Sequence, residues 1–190
     1  VSGDACPEGV LAEIDALLGT RLFPHYGSRE MCLGGAVTCQ AHEGMHLREN
    51  HVLAEIVDES GARLPDGERG ELVITTLDME AMPLIRYRTG DYTRFLPGKC
   101  PCGGVTRRIE RVSRADNSME RMDGELFRLP GLIDYSASCT GCGLRIDAVG
   151  DVSDIRAAAP FAAICEVRVR APESGWRGSY AGKRHILTET

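Results

Sequence analysis

Near the start of the chain, the apolar positions have the spacing of a helix. Within residues 8–18 they recur every three or four positions, at Leu11, Ile14, Leu17 and Leu18. Side chains at that spacing share one face of a helix. Gly19 follows the pattern, and glycine commonly ends helices because it enters the left-handed region easily. We therefore predict an amphipathic helix over residues 8–18.

Further along, the apolar runs are shorter and predict strands. Residues 51–58 and 71–76 are separated by a segment rich in glycine and charge, which predicts two strands joined by a turn. Extended segments follow at 84–88, 92–96 and 105–112. Several short strands in succession predict a strand-rich curled sheet or a small barrel.

A polar stretch over residues 113–118 interrupts this pattern and predicts a domain boundary. Beyond it, residues 144–149 and 165–170 predict strands on either side of a helix at 152–159, which is expected to end before Pro160. The second part of the chain is therefore predicted to be a small α+β domain, and the fold class of the whole chain is α+β.

The composition excludes several classes of protein. With 190 residues, 43% of them apolar, the chain can bury the core of one domain, or of one domain plus a small appendage. No apolar run approaches the roughly 20 residues that cross a bilayer. The net charge of −6 argues against binding nucleic acid through bulk charge. Residues 1–4 lack the order of a secretion signal, so we expect a soluble, cytoplasmic protein with no membrane partner.

The eight cysteines are predicted to be reduced or bound to metal, because the sequence carries no secretion signal. Cys39 and His46 lie seven positions apart, and Cys100 and Cys102 form a Cys-Pro-Cys sequence followed by two glycines. Three thiolates and one imidazole suit a closed tetrahedral site, which predicts structural Zn²⁺. The alternative is three free thiols and an exposed His46.

A second pair, Cys139 and Cys142, has the spacing of another metal knuckle or of a redox pair. No further pair completes a metal site, because Cys165 stands alone and no histidine lies nearby in the sequence. We therefore predict reduced cysteines in a turn.

The sequence Tyr87-Arg-Thr-Gly-Asp91 follows a predicted strand and ends in a carboxylate. A carboxylate after a glycine turn can accept two hydrogen bonds from a vicinal diol such as a ribose. The alternative is that Asp91 caps the turn at the end of the strand.

Several segments taken together resemble one family. They are residues 83–91 with 70–76 before them, Tyr26-Gly-Ser-Arg-Glu30, Gly44-Met-His46 and Cys100-Pro-Cys-Gly103. In this combination the chain resembles the adenylate-forming ligases, especially the phenylacetate–CoA ligase branch. The resemblance implies an AMP-forming acyl- or aryl-CoA ligase, which activates a carboxylic acid as an acyl-adenylate with ATP and Mg²⁺ and transfers it to CoA.

The resemblance also implies roles for single residues. Tyr26 would pack on adenine, Glu30 would hold Mg²⁺ near the phosphates, and Asp91 would hold the ribose hydroxyls. Aromatic faces supply stacking, and hard carboxylates suit Mg²⁺. Arg29 stands where the family usually has a hydroxyl residue. The alternative is that Tyr26 is an ordinary half-buried aromatic side chain and Glu30 a solvated charge.

Residues 113–117 resemble the hinge about which the family's C-terminal domain swings, with Ser113 in place of the usual glycine. Asp116 would be the pivot of this hinge, and Arg114 would contact ribose or phosphate. Ser113 is expected to stiffen the pivot, because only glycine enters positive φ freely. An ordinary linker is the alternative.

The resemblance divides the chain into the end of the large adenylation domain over residues 1–113, a hinge at 114–117 and a small C-terminal domain over 118–190. Within the last of these, Met119–Phe127 is predicted to be the family's hairpin. Lys183 resembles the lysine that contacts the carboxylate and the α-phosphate during adenylation, so it is the predicted catalytic residue beside Glu30. The alternative is a solvated lysine in a polar tail.

The 190 residues contain no Ser/Thr/Gly-rich phosphate loop, which the family places upstream of its adenine motif. The chain is therefore predicted to be a fragment of a longer ligase and inactive by itself. Residues 31–38 would border the acyl pocket, where their glycines leave room for a flat aromatic ring. We also expect self-association, such as a homodimer, through the surface that would pack on the absent residues.

Two other functions stay open. One is a catalytically degenerate, zinc-pinned module that binds a nucleotide or a partner protein, which Arg29 and Ser113 favour. The other is adenylyl transfer to a cofactor, as in the coenzyme F390 synthetases that resemble this branch.

Overall fold

The chain forms two units with separate hydrophobic cores in the computed structural model, which describes residues 6–31, 34–115, 118–158, 164–172 and 187–188. The first unit contains Arg21–Asp116, and the second combines Cys6–Thr20 with Asn117–Thr190. The sequence-based division assigned all of residues 1–113 to the first domain. In the structure, the segment before Arg21 that carries the first helix groups with the second unit instead.

Antiparallel strands make up the first unit. In chain order they are β1 (His25–Tyr26), β2 (Ala36–Thr38), β3 (Met45–Leu47), β4 (Val52–Val57), β5 (Gly70–Thr76), β6 (Tyr87–Thr93), β7 (Phe95–Leu96), β8 (Arg108–Ile109) and β9 (Ser113–Arg114). One sheet has the order β1-β2-β3-β8-β7, and the other has the order β4-β5-β6-β9. Neither sheet closes on itself in the part of the chain that the structure describes. The α+β, strand-rich prediction is therefore confirmed, and the barrel alternative is wrong.

The strongest strand prediction is confirmed by β4 and β5, which pair antiparallel along the whole of β4. Almost every residue of β5 is buried, as its continuous apolar run indicates. The later predictions are less accurate. The predicted strand at 84–88 is displaced towards Asp91, and of the predicted strand at 105–112 the structure keeps Arg108–Ile109.

The core of the first unit draws side chains from both sheets. Its buried members are Met31, Ala36, Met45, Leu47, Val52, Ala54, Ile56, Leu72, Ile74, Phe95 and Ile109. A buried charge, Glu55 in β4, accepts hydrogen bonds from Arg63 and from Arg86. Burial raises the pKa of Glu55, but the two arginines outweigh that effect and lower it. The carboxylate therefore stays ionised inside the unit.

The second unit is a four-stranded sheet with helices. Its elements are α1 (Glu8–Leu18), α2 (Ser118–Leu126), β10 (Leu132–Thr140), β11 (Gly143–Gly150), α3 (Ile155–Ala158), β12 (Ile164–Arg170) and β13 (Leu187–Thr188). The strand order is β12-β11-β10-β13. The central hairpin β10–β11 is antiparallel, and both outer strands run parallel to their neighbours.

The predicted hairpin over Met119–Phe127 is wrong, because the segment forms α2. Met119, Met122 and Leu126 are buried at helical spacing and pack in the core of this unit. Gly124 lies on the opposite face, where a Cβ would meet nothing within 4 Å. A glycine at an open helix position costs only about 1 kcal/mol, which the buried side chains outweigh.

The helix predicted at residues 8–18 is confirmed as α1, and Gly19 ends it with φ 60°. Val10 packs against the core of the second unit. The end of the predicted apolar face is not covered, since Leu17 is 84% and Leu18 is 67% exposed. Among the residues that the structure describes, no helix is both long and apolar enough to cross a membrane.

Replacing Ile56 in β4 by alanine is expected to reduce the free energy of unfolding by about 2–5 kcal/mol, because a fully buried side chain leaves a cavity. Leu53 in the same strand is 49% exposed, whereas Ile56 is 1% exposed. Leu53→Ala is therefore the matched control and should cost less than about 1 kcal/mol. Chemical denaturation of both variants measures the difference, and equal losses would contradict the assigned faces of β4.

Candidate functional site

Three of the predicted nucleotide-binding residues meet in the first unit. Asp91 in β6 lies opposite Arg114 in β9, and its carboxylate is almost completely buried. The Tyr26 hydroxyl donates a hydrogen bond of 2.7 Å to one carboxylate oxygen, and the Arg114 guanidinium lies 3.0 Å from the other. The arrangement joins β1, β6 and β9 through one carboxylate. It also holds the Tyr26 ring beside the predicted ribose ligand.

The protonation state of Tyr26 follows from this contact. Burial raises the pKa of the Tyr26 phenol, and the hydrogen bond to the Asp91 carboxylate raises it further. The phenol therefore stays protonated at neutral pH and acts as the donor.

Other groups hold the turn that carries Asp91. The buried carboxylate of Glu71 accepts hydrogen bonds from the backbone N–H of Gly90 at 3.1 Å and from Arg88 Nε at 2.7 Å. The Thr89 hydroxyl donates to a carbonyl of β5 at 2.8 Å and accepts from the Asp91 N–H at 3.1 Å. Gly90 takes the left-handed conformation at φ 71°, which suits the turn. The Gly90 N–H and the Thr89 hydroxyl thus hold this turn against β5.

Glu30, the predicted Mg²⁺ ligand, lies in a 3₁₀ turn over Arg29–Met31. The neighbouring Ser28 hydroxyl and the backbone N–H of Glu30 lower the pKa of the Glu30 carboxyl. The charges of Arg29 and Arg114 lower the pKa of Glu30 further. The side chain is therefore an ionised carboxylate at neutral pH, which is the form that Mg²⁺ binds.

Asp116 and Lys183 lie outside the described residues. Within the predicted acyl-pocket segment 31–38, residues 32 and 33 also lie outside them.

Met31 lines a cavity of about 270 Å³, whose other walls are Arg48, His51, Val52, Leu77, Asp78 and Met79.

The four predicted zinc ligands form a second cluster in the first unit. The ligand atoms of Cys39, His46, Cys100 and Cys102 all lie within 4.8 Å of one another. Cys39 Sγ lies 3.5 Å from Cys100 Sγ, and Cys102 Sγ lies 3.3 Å from His46 Nε2. Pairing of β2 with β3, and of β3 with β8, brings the two halves of the cluster together.

The surroundings of the cluster fit a tetrahedral metal ion such as Zn²⁺. Thr106 Oγ1 lies 3.0 Å from His46 Nδ1, which leaves Nε2 facing Cys102. The backbone N–H of Gly104 donates to Cys102 Sγ at 3.3 Å. A Cβ on Gly104 would lie 2.8 Å from His46 Cε1, so no larger residue fits beside the imidazole. A backbone hydrogen bond from Cys102 lowers the pKa of the Cys100 thiol. The Gly104 N–H lowers the pKa of Cys102, but the neighbouring Cys100 and Cys39 thiols outweigh this effect and raise it.

Sequence reasoning missed the residues that support both clusters. Glu71 and Thr89 hold the turn before Asp91, and Thr106 orients His46. Glu71 does leave a signal in the sequence, since it is a carboxylate at the start of the apolar run Leu-Val-Ile. Thr106 leaves none, because its partner lies 60 positions earlier in the chain.

Sequence comparison finds relatives of one kind. A phenylacetate–coenzyme A ligase of Escherichia coli strain K12 is 43% identical over 110 residues, which are 56% of this chain and 24% of that protein. Another from Thermus thermophilus is 41% identical over 117 residues, which are 59% of this chain and 26% of that protein. The chain thus spans about a quarter of the length of the curated relatives it matches. No protein-family model matches it.

Comparison of structures gives the fold. The crystal structure of 2-hydroxyisobutyryl-CoA ligase in the postadenylation state, in complex with R3-HIB-AMP, has a TM-score of 0.79 and 19% sequence identity. The match covers 96% of this chain and 46% of that chain. The fold is therefore similar to that of part of this CoA ligase. The sequence similarity over more than half of the chain confirms the resemblance to the phenylacetate–CoA ligases.

Tyr26→Phe is expected to leave the phenolate absorbance of the folded protein at about pH 10.5 unchanged, although an ordinary tyrosine is largely ionised there. The raised pKa keeps Tyr26 protonated, so Tyr26 contributes nothing to this signal. Ultraviolet titration measures this. As a control, the same variant unfolded in denaturant should lose about one fifth of the signal. A lower signal from the folded variant than from the folded unaltered protein would show that Tyr26 ionises normally.

Proposed function

We propose that the full-length protein to which this chain belongs is an AMP-forming acyl- or aryl-CoA ligase, and that the chain carries part of its nucleotide site. The convergence of Tyr26, Arg114 and Asp91 is the observation that carries the proposal. The sequence similarity to phenylacetate–coenzyme A ligases supports it. The proposed reaction joins a carboxylic acid to AMP and then transfers the acyl group to CoA.

In this proposal Asp91 binds the ribose. An ionised carboxylate has about four lone-pair positions, and Tyr26 and Arg114 use one on each oxygen. Two positions are left for the two hydroxyls of a ribose. Because Tyr26 stays protonated, its ring carries no charge and offers an apolar face for adenine.

Glu30 is the proposed Mg²⁺ ligand, since its carboxyl is held in the ionised form. Mg²⁺ would supply positive charge to neutralise the phosphates of ATP. Lys183 is proposed to stabilise the negative charge that develops on the acid and the α-phosphate. Asp116 is proposed as the pivot between residues 1–113 and 118–190, with the hinge at 114–117.

Catalysis is proposed to need more than this chain. The 190 residues lack a phosphate loop, and they match about a quarter of the length of the relatives. Converging backbone N–H groups are what such a loop supplies to the phosphates. We therefore expect the chain by itself to bind AMP weakly and to form no adenylate. The same proposal includes a carboxylic acid substrate, for which an aromatic acid is one option, and CoA as the acceptor. It also includes a homodimer and a cytoplasmic location.

Zn²⁺ is proposed to occupy the cluster of Cys39, His46, Cys100 and Cys102 as a structural ion. All four positions of a tetrahedral ion would be filled by protein, which is typical of structural zinc. The ion would tie the turn after β2 to the connection between β7 and β8. These are short strands, and such small elements gain stability from a cross-link.

A degenerate binding module is the second candidate. Arg29 replaces the family's hydroxyl residue, and the hydroxyl of Ser113 is engaged by Arg69 instead of leaving a flexible glycine. Both features favour nucleotide or partner binding without chemistry. Adenylyl transfer to a cofactor is a third possibility that shares the nucleotide site.

Asp91→Asn is expected to weaken AMP binding by the chain at least about tenfold, equivalent to about 1.4 kcal/mol, because the amide accepts fewer hydrogen bonds from the ribose. Isothermal titration with AMP measures the change. Asp66→Asn is the matched control, since Asp66 pairs with Arg107 on the surface of the same unit.

Two results would contradict the nucleotide site: no AMP binding by the unaltered chain, or equal binding by Asp91→Asn. The full-length protein then separates the candidates. Acid-dependent release of pyrophosphate from ATP, lost in Lys183→Ala, supports the ligase. AMP binding without that release supports the module.

Elemental analysis of the purified chain is expected to find one zinc ion per chain. Cys100→Ser should lose most of it, whereas Cys139→Ser, in the second unit, should keep it. Thr106→Val is expected to lower zinc affinity by about 10–100-fold, because it frees the imidazole of His46 to rotate. The visible spectrum of the Co²⁺-substituted chain reports ligand geometry directly. A zinc content that is unaffected by Cys100→Ser would contradict the site.

A further inference from the structure

The second unit contains a pair of thiols that the proposed ligase function does not use. Thr140 ends β10, and its Oγ1 lies 3.2 Å from Cys142 Sγ and 3.3 Å from Cys165 Sγ. The same hydroxyl thus contacts both sulfurs. The prediction that Cys165 stands alone is therefore wrong, since a residue 23 positions away in sequence becomes the neighbour of Cys142.

The sheet explains why Cys142 pairs with Cys165 and not with Cys139. Cys139 lies opposite Leu144 in the β10–β11 hairpin, so it shares the face of that core residue. Thr140 projects to the other face. The pairing of β11 with β12 shifts its register between Leu144 and Arg145, which makes Cys165 the extra residue of β12.

The backbone at Cys165 is held in place at this irregularity. The Arg156 guanidinium donates to the carbonyl oxygens of Ile164 at 2.6 Å and of Cys165 at 3.1 Å. Ile164 packs against the core of the unit. The hydrogen bonds from Arg156 and the packing of Ile164 thus fix the backbone that carries the Cys165 thiol.

The two thiols differ in access. Cys142 lies in the exposed two-residue turn of the hairpin, whereas Cys165 is half-buried. A small oxidant in solution therefore meets Cys142 first. Cys165 lies against the same hydroxyl as Cys142, so it is the neighbouring thiol that can react with an oxidised Cys142.

The hydroxyl of Thr140 suits both forms of Cys142. It donates to the Gly143 carbonyl at 2.9 Å while its lone pairs face the two thiols, and it can turn to donate to a thiolate. The neighbouring Cys165 thiol and the Thr140 hydroxyl lower the pKa of the Cys142 thiol. Glu166 opposes this effect, but its carboxylate is paired with Arg168 at 2.8 Å.

We propose that Cys142 and Cys165 form a peroxide-reactive thiol pair that closes to a disulfide between the β10–β11 turn and β12. The Cys142 thiolate attacks hydrogen peroxide, the O–O bond breaks, and one water molecule leaves with a proton from solvent. Cys142 is then a sulfenic acid. The Cys165 sulfur attacks it, the S–O bond breaks, and a second water leaves. The two sulfurs lose two electrons, and the peroxide gains them.

The test is oxidation of the reduced chain with a few equivalents of hydrogen peroxide, followed by alkylation, trypsin digestion and mass spectrometry. We expect a disulfide that joins peptide 129–145 to peptide 157–168, with the loss of two hydrogen atoms. Because Cys139 and Cys142 share the first peptide, Cys139→Ser is the matched control and should form the same cross-link. A Cys139–Cys142 disulfide, or no cross-link to Cys165, would overturn the proposal.

Single variants test the order of the two steps. In Cys165→Ser, dimedone should label Cys142 as a sulfenic acid. In Cys142→Ser, Cys165 should stay reduced over the same interval. Preferential oxidation of Cys165 in the Cys142→Ser variant would contradict the assigned order.

Thr140→Val tests the part played by the hydroxyl. The rate of Cys142 alkylation by iodoacetamide should fall at least about threefold, because a smaller fraction of the thiol is ionised. Thr140→Ser, which keeps the hydroxyl, should restore the rate. Circular dichroism of both variants shows whether the second unit is folded, and equal rates in two folded variants would exclude a role for the hydroxyl.

Discussion

The buried carboxylate of Asp91 is the constraint on which the candidate nucleotide site depends. A charge at that position is costly unless each oxygen is paired, and Tyr26 and Arg114 supply the two partners. These partners come from strands far apart in the sequence. The same interaction therefore joins a strand of one sheet to two strands of the other. It also places an aromatic ring, a carboxylate and a guanidinium next to one another. Stability and the proposed ribose site share one set of contacts.

A second carboxylate makes this arrangement rigid. Glu71 is buried in β5 and binds Arg88 and the Gly90 N–H, so the turn before Asp91 has little freedom. A preorganised ligand costs less conformational entropy when nucleotide binds. The proposed ligase and the proposed binding module both need this property, which is why nucleotide binding alone does not distinguish them.

The two groups of thiols in this chain illustrate how surroundings decide chemistry. Cys39, Cys100 and Cys102 converge with an imidazole held by Thr106, and that donor set suits a closed metal site. Cys142 and Cys165 converge on a hydroxyl with no imidazole among their described contacts. An exposed thiol beside a half-buried one suits reversible oxidation instead. Cysteine is therefore proposed to bind a metal ion in the first unit and to be oxidised reversibly in the second.

The sequence by itself determined what is local or carried by a motif. The helix at 8–18, the β4–β5 hairpin and the similarity to phenylacetate–CoA ligases were all predicted, because periodicity and short motifs act over neighbouring residues. Only the tertiary structure decided that Met119–Phe127 is a helix, that α1 joins the second unit and that Cys165 lies beside Cys142. These outcomes depend on burial against distant segments and on a register shift between strands. Neither leaves a pattern in a single stretch of sequence.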